Sequence, residues 1–213
     1  MKKYAFITML ILMFPLLSNS QSIFLDQGTN AGSLGIGIGN MEDVTFYTIQ
    51  GSYSLKGRTD LSLAYEKSEF GFDSDLNKLS LGANYLILKQ GSNFPLNWNL
   101  GGSYSFGSVS DEELSALGTD LSINEVVLST GFSRVIRSFL LFAPYATVDY
   151  NRITAKASYN GDSESESESG INYTVGGHLG FHLGDNLVTL NPFYSFGYFQ
   201  MVGVRLSFIL NAK

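Results

Sequence analysis

The sequence predicts an all-β chain, a closed antiparallel transmembrane β-barrel formed after a signal peptide is removed. Three observations predict it. Beyond Gln21, apolar residues alternate with small or polar ones at period two, the mark of strands, rather than at the 3.6-residue spacing of an amphipathic helix. The alternating runs are long: 76–88 and 171–183 outlast the roughly five or six residues usual in soluble strands and reach the about 9–11 that a tilted membrane strand needs. The charged share is 15%, against about a quarter in soluble chains, while 14% of residues are aromatic.

The first element is the targeting segment. Lys2 and Lys3 precede an apolar run from Tyr4 to Leu17 broken only by Thr8, and Ser18 and Ser20 occupy the small-residue positions of a cut before Gln21. The run is too short for a comfortable membrane helix, so 1–20 reads as a secretory signal peptide and 21–213 as one barrel domain.

Ten strands follow: 33–39, 45–55, 60–70, 76–88, 96–108, 122–136, 139–157, 171–183, 187–196 and 201–210. Eight is the alternative if 33–39 or 187–196 is not a strand. In the second, Tyr47, Ile49, Tyr53 and Leu55 share one face while Thr48, Gln50, Ser52 and Ser54 share the other. In the eighth, Ile171, Tyr173, Val175, Leu179, Phe181 and Leu183 oppose Asn172, Thr174, His178 and His182. Polar faces of this length suit a lumen and apolar faces suit lipid. Lipid leaves no backbone group unpaired, so such strands must close on themselves. The alternation slips at Val126 and Val127, and Pro144 with the 150–155 stretch predicts a bulge.

With the N-terminus on the periplasmic side, the outside loops hold Glu42, Asp43, Lys67, Glu69, Asp73, Asp75, Asp111, Glu112, Glu113, Asp120, Asp162, Glu164, Glu166 and Glu168, all acidic apart from Lys67. The opposite turns hold Lys56, Arg58, Lys89 and Arg137 against Asp185. The two longest loops, 109–121 and 158–170, fall on the same outer side, as expected of bacterial barrels.

Several function classes drop out. No cysteine is present, which excludes disulfide scaffolds, zinc–thiolate sites and cysteine nucleophiles. A net charge of −6 without a basic cluster argues against nucleic acid. His178 and His182 lie four apart on a strand, about 13 Å, too far to ligate one metal. A proton-shuttling partnership of His178 with Ser103 or Ser129 is the one enzymatic option, and lumenal packing is the expectation. The glycines Gly35, Gly37 and Gly39 lack the dinucleotide-loop spacing and predict a thin inner wall. Asn172, Tyr173 and Thr174 match a glycosylation sequon that a strand would hide.

Six charges fall on the inward face: Asp60, Glu66, Lys78, Glu125, Asp149 and Arg205. Charges in a narrow barrel must pair, and Glu66 with Lys78 flank one hairpin and form the expected pair. Ten strands lie nearer a side-chain-filled interior than a water channel. Asp162, Glu164, Glu166 and Glu168 read as an acidic outer loop, solvated and without the spacing of a calcium loop. No cofactor or metal is expected.

The signal segment, the strands of Gly, Asn, Ser and aromatics, and a final strand with Val202, Val204, Leu206, Phe208 and Leu210 outward and Arg205 and Ser207 inward resemble small Gram-negative outer-membrane β-barrel proteins of the OmpA-like and porin-like class. The chain departs from that pattern by ending on Asn211, Ala212 and Lys213 rather than an aromatic residue. The resemblance implies an integral, multi-pass place in the bacterial outer membrane. It also implies outer-membrane lipid and lipopolysaccharide as surroundings, and periplasmic chaperones and the barrel-assembly machinery as partners. The expected function is non-enzymatic, structural or through the acidic loops toward an unknown extracellular ligand. The alternatives are a narrow channel or transport component and, behind it, a rim or lumenal hydrolase.

Overall fold

The computed structural model describes residues 21–41, 44–70, 74–111, 119–159 and 162–210. The expected signal peptide 1–20, the loop acids Glu42, Asp43, Asp73, Glu112 and Glu113, and the terminal Asn211, Ala212 and Lys213 lie outside them. A 3-10 turn, Gln21–Ile23, precedes β1 (Ala31–Met41), β2 (Val44–Leu55), β3 (Thr59–Phe70), β4 (Ser74–Leu88), β5 (Asn97–Ser110) and β6 (Thr119–Ser133). A two-residue arm, β7 (Ile136–Arg137), leads into β8 (Leu141–Tyr159), β9 (Asp162–Leu183), β10 (Asn186–Gly197) and β11 (Met201–Leu210). Consecutive wall strands pair antiparallel, β7 pairs with β8 alone, β6 pairs with β8 past it, and β1 pairs with β11, so the sheet closes. Ten strands form the wall, which decides against the eight-strand alternative.

Side-chain burial follows the period-two pattern. Ile36, Ile49, Leu63, Leu81, Leu100, Leu128, Ile171 and Val202 are exposed, whereas Thr48, Gln50, Ser80, Asn99, Ser129 and Asn172 are buried. This inversion of the soluble rule, apolar outside and polar inside, is stable only with lipid against the outer face. Outward aromatics gather near both ends of the wall. Tyr53, Tyr85, Trp98 and Phe132 lie toward the short turns, and Tyr47, Tyr65, Tyr104 and Phe106 toward the long hairpins. Their polar tips find partners on the same face: Trp98 Nε1 donates to Thr130 Oγ1 at 2.9 Å, and the Tyr65 hydroxyl to Asn77 Oδ1 at 2.6 Å. Amphipathic rings of this kind suit the headgroup level.

Several expectations need correction. The ladder is continuous through Val126 and Val127, and Val127 is simply an apolar residue facing inward. No bulge occurs at Pro144 or 150–155. The Pro144 carbonyl accepts from Arg134 N just beyond the last β6–β8 pair, Ser133 with Tyr145, so the missing proline N–H falls where that ladder has ended. The register shift lies instead between Leu86 and Leu88, in the β4–β5 pairing. The strands also run past the expected loops: Lys67 and Glu69 belong to β3 and Asp75 to β4, where Lys67 bridges Asp75 at 3.0 Å and Glu69 at 3.2 Å as exposed pairs of little energetic weight. Finally, Asp162, Glu164, Glu166 and Glu168 are not in a loop but on the first half of β9, paired with β8 residue by residue. At the other end β6 stops at Ser133, and Phe139, expected in a strand, sits in the Ser138–Leu140 turn at 93% exposure.

Candidate functional site

The six inward charges are all buried, and the strands divide them among three places. Lys78 Nζ on β4 reaches Glu66 Oε1 on β3 at 3.3 Å and Glu125 Oε2 on β6 at 3.1 Å. Glu66 is directly opposite Lys78 in the ladder, whereas Glu125 is one strand further, beyond β5. Gly107 of β5 is the ladder partner of Lys78, and an added Cβ there would lie 3.3 Å from Lys78 Cα. Arg205 on β11 stands opposite Gly37 and Asn191, and its charge acts on Glu66 across the glycine wall of β1. Two cations and two carboxylates therefore share the middle of the lumen. On β8, beside the Glu125 strand, Asp149 accepts from Thr147 Oγ1 at 3.1 Å and Thr174 Oγ1 at 3.2 Å. Asp60, at the end of the lumen near the short turns, accepts from Ser22 N at 3.2 Å and Ser22 Oγ at 3.0 Å.

Two apolar seals bracket this polar belt, and the sequence reading did not anticipate either. At the end carrying the long hairpins, Met41, Val44, Phe46, Leu76, Leu121, Ile123, Ile153, Ala155, Phe199 and Met201 form one buried cluster. At the opposite end, Ile23, Phe24 and Leu25 join Ala31, Leu86, Val135, Ala143, Leu187 and Ile209. The chain's own start thus fills the mouth. Gln21 reaches deepest, donating to Ser33 and Ser52, and Phe24 packs edge-on to His178 with ring centroids 5.4 Å apart. The cationic turns grip the segment behind it: Lys89 Nζ donates to the Leu25 carbonyl, and Arg137 stands 3.8 Å from Asp26. Burial lowers the Lys89 ammonium from its ordinary pKa, with Asp26 opposing that shift. Gly57, in the β2–β3 turn with φ of 58°, leaves the space that Asp26 occupies, since a Cβ there would lie 2.5 Å from the Asp26 carbonyl oxygen. A cavity of about 20 Å³ beside Gln21, His178 and Asn191 has room for little more than a water.

His178 is buried against Phe24 and Tyr145, and no hydrogen bond links it to Ser103 on β5 or Ser129 on β6. His182 is exposed at the rim. Among the described residues no three His, Asp or Glu side chains are placed to hold a metal. Asn172 is fully buried and accepts from Phe199 N at 3.1 Å, which hides the sequon. The inner face of β1 is thin as expected, with Phe46 lying over Gly39 and Arg205 beside Gly37.

The third feature lies beyond the seal. Tyr159 pairs with Asp162 and with Thr119, so β6, β8 and β9 continue together above the rim. β10 ends with Gly197 opposite Asn172, leaving β9 before that point without a strand on its second side among the described residues. Asp162, Glu164 and Glu166 project, exposed, from the face that continues the lumen, opposite Tyr159, Ala157 and Ala155. Glu168 differs: the Tyr198 hydroxyl from the β10–β11 connection donates to its Oε2 at 2.6 Å. The Tyr198 ring lies over Gly170, where a Cβ would sit 2.2 Å from the ring. Burial first, then the Glu168 carboxylate, raises the Tyr198 phenol above its usual range.

No protein-family model and no curated protein sequence matches the chain. Solved structures do match in fold. The beta domain of the Bordetella autotransporter BrkA aligns with a TM-score of 0.55 at 10% identity, covering 87% of this chain and 99% of that one. The translocator domain of autotransporter NalP from Neisseria meningitidis gives 0.53 at 12% identity, covering 99% and 96%. The N-terminal β-barrel domain of Pseudomonas aeruginosa OprF is a looser match, 0.40 at 14% identity over 86% of this chain and all of that one. The BrkA and NalP likenesses concern the closed antiparallel barrel, and the fold of this chain is that of outer-membrane β-barrels.

Proposed function

We propose that this chain is an integral outer-membrane barrel whose lumen is a structural core, and whose working part is the acidic β8–β9 hairpin it holds outside the cell. The observation that carries the reading is the contrast between the two regions. The lumen is filled by an ion cluster between two apolar seals, while the hairpin carries exposed carboxylates well clear of the rim. A pathway for solutes would need both seals displaced, at the expense of two buried clusters and the contacts of Gln21 and Ser22. A role in catalysis finds no support at His178, which is enclosed by aromatic rings. The barrel is then a rigid mount, and binding falls to the part that protrudes.

The absence of native cysteine makes the test direct. Single variants Ser165→Cys on the hairpin and Asp185→Cys in the β9–β10 turn are treated in intact cells with a bulky, membrane-impermeant maleimide. The expected result is labelling of the first and protection of the second until the outer membrane is opened. Labelling of Asp185→Cys alone in intact cells would overturn the orientation and with it the proposed surface role.

A further inference from the structure

We infer that the free edge of β9 is a docking site for an extended, basic polypeptide segment, which adds to the β6–β8–β9 sheet as a further strand. The inference rests on the surface role proposed above and names its partner by chemistry. Its first support is backbone geometry. The Ile171 carbonyl accepts from Tyr198 N at 3.0 Å on the β10 side of β9. The β8–β9 register runs unbroken from Tyr159 with Asp162 to Leu141 with Gly180, so the two-residue alternation persists along the strand. Ser163, Ser165, Ser167 and Ser169 therefore turn their N–H and C=O groups toward the same open side, while Glu164, Glu166 and Glu168 turn theirs toward β8. Tyr198 covers the base of this edge at Gly170 and engages Glu168, and no other described residue pairs with the stretch around Ser163–Ser167 on that side.

Its second support is charge. An edge strand of this length invites pairing unless its side chains choose the partner. A strand laid along β9 has every second residue about 4.5–5.5 Å from a β9 neighbour on the same face. On the lumen-continuing face those neighbours are Asp162, Glu164 and Glu166, opposite Tyr159, Ala157 and Ala155, with no cation on the β8 side of that face to neutralise them. Lysine or arginine at alternate positions of the incoming segment supplies the missing charge. The other face offers Ser163, Ser165 and Ser167, small and neutral, which tolerate most residues. A second copy of this chain is the wrong partner, because two β9 edges would set carboxylate against carboxylate. Strand addition of this kind draws affinity from main-chain bonds and selectivity from alternate side chains.

The test uses the purified protein in detergent micelles, at low salt, with fluorescent synthetic peptides: alternating Thr-Lys, alternating Thr-Glu, and the first peptide N-methylated at every second residue. Only alternating Thr-Lys is expected to bind, and isotope-edited infrared spectra should show it as an added strand. Ser165→Pro removes an edge donor without touching the ladder to β8 and should weaken binding at least tenfold, as should Glu164→Gln with Glu166→Gln. The N-methylated peptide applies the same loss of bonds to an unchanged protein, so a poorly folding Ser165→Pro variant does not weaken the test. Equal binding of the methylated peptide would reduce the effect to charge attraction and overturn strand addition. Unchanged binding by the double Gln variant would overturn the role of charge. Peptide-free dimers lost on Ser165→Pro would assign the edge to self-association and overturn the inference. No binding of Thr-Lys while Ser165→Cys still labels from outside would sink this inference and leave the surface role standing.

Discussion

Lys78 and Glu125 meet at 3.1 Å although their strands, β4 and β6, are not neighbours. The contact spans β5, and it ties together a wall that the ladder alone links only strand by strand. The same ammonium holds Glu66, so one cation serves two buried carboxylates.

Removing that cation has a definite consequence. Lys78→Met takes the ammonium from between Glu66 and Glu125, leaving Arg205 as the cation nearby, and should destabilise the barrel by about 3–5 kcal/mol, as breaking buried pairs does. The triple variant Glu66→Gln, Lys78→Met, Glu125→Gln removes all three charges and should recover most of the loss. Urea unfolding in micelles, followed by the heat-sensitive shift on a gel, separates the two. Equal destabilisation of both variants would mean that shape rather than charge holds the cluster.

The plug at the short-turn mouth makes its own prediction. Phe24→Ala removes the ring seated on His178 and should cost about 3–5 kcal/mol, the usual range for a buried phenylalanine. Asp60→Ala removes the acceptor of both Ser22 bonds and should expose 21–30 to added protease while the strands stay protected. Limited proteolysis with mass spectrometry checks this, and an uncut N-terminal segment would contradict the anchoring role of Asp60.

The lipid-facing surface can be probed at Leu81, which is 54% exposed between outward Leu63 and Tyr104. Leu81→Arg should destabilise the barrel in bilayers by about 2–4 kcal/mol if the residue lies near mid-membrane. The same change in a soluble sheet would be close to neutral. Folding titrations into vesicles measure the difference, and a neutral result would argue that this band does not contact lipid.

Tyr198 gives a spectroscopic reading of the hairpin base. Its phenol is raised by burial and by Glu168, so ultraviolet titration should find a late-ionising phenol signal that disappears in Tyr198→Phe. The sign follows from the raised folded value: the contact contributes fully below the ordinary phenol range and is lost as pH rises through the folded value. Glu168→Gln should bring this tyrosine part of the way back, since burial persists.

The barrel was legible because its energetics are written at every second residue. Thr48 against Ile49 or Asn172 against Tyr173 tells inside from outside without any contact being known. The Glu66–Lys78 pair was legible because one hairpin joins the two residues. Glu125 was not assigned to that pair, since its distance depends on the stagger of three strands. The seals escaped notice for a different reason. Phe46, Ile123 and Ile153 lie inward in the same parity as Thr48, Glu125 and Asn151, but an apolar residue on a polar face looks like a lapse in alternation until several meet from different strands. The triplet Ile23, Phe24 and Leu25 stood between the predicted cut and the first strand, too short for periodicity to speak. The acidic stretch 162–169 was misread because serine and glutamate favour loops by composition. Pairing with 152–159 of β8 overrides that preference.

Single-channel recording of the protein in a planar bilayer tests the closed lumen most directly. The account predicts a silent barrel, silent also when Gln21–Leu25 alone is removed because the outer cluster still seals, and conducting only when Phe46 and Ile153 are cut to serine in the plug-less form. Discrete, salt-dependent openings of the unaltered protein would contradict it.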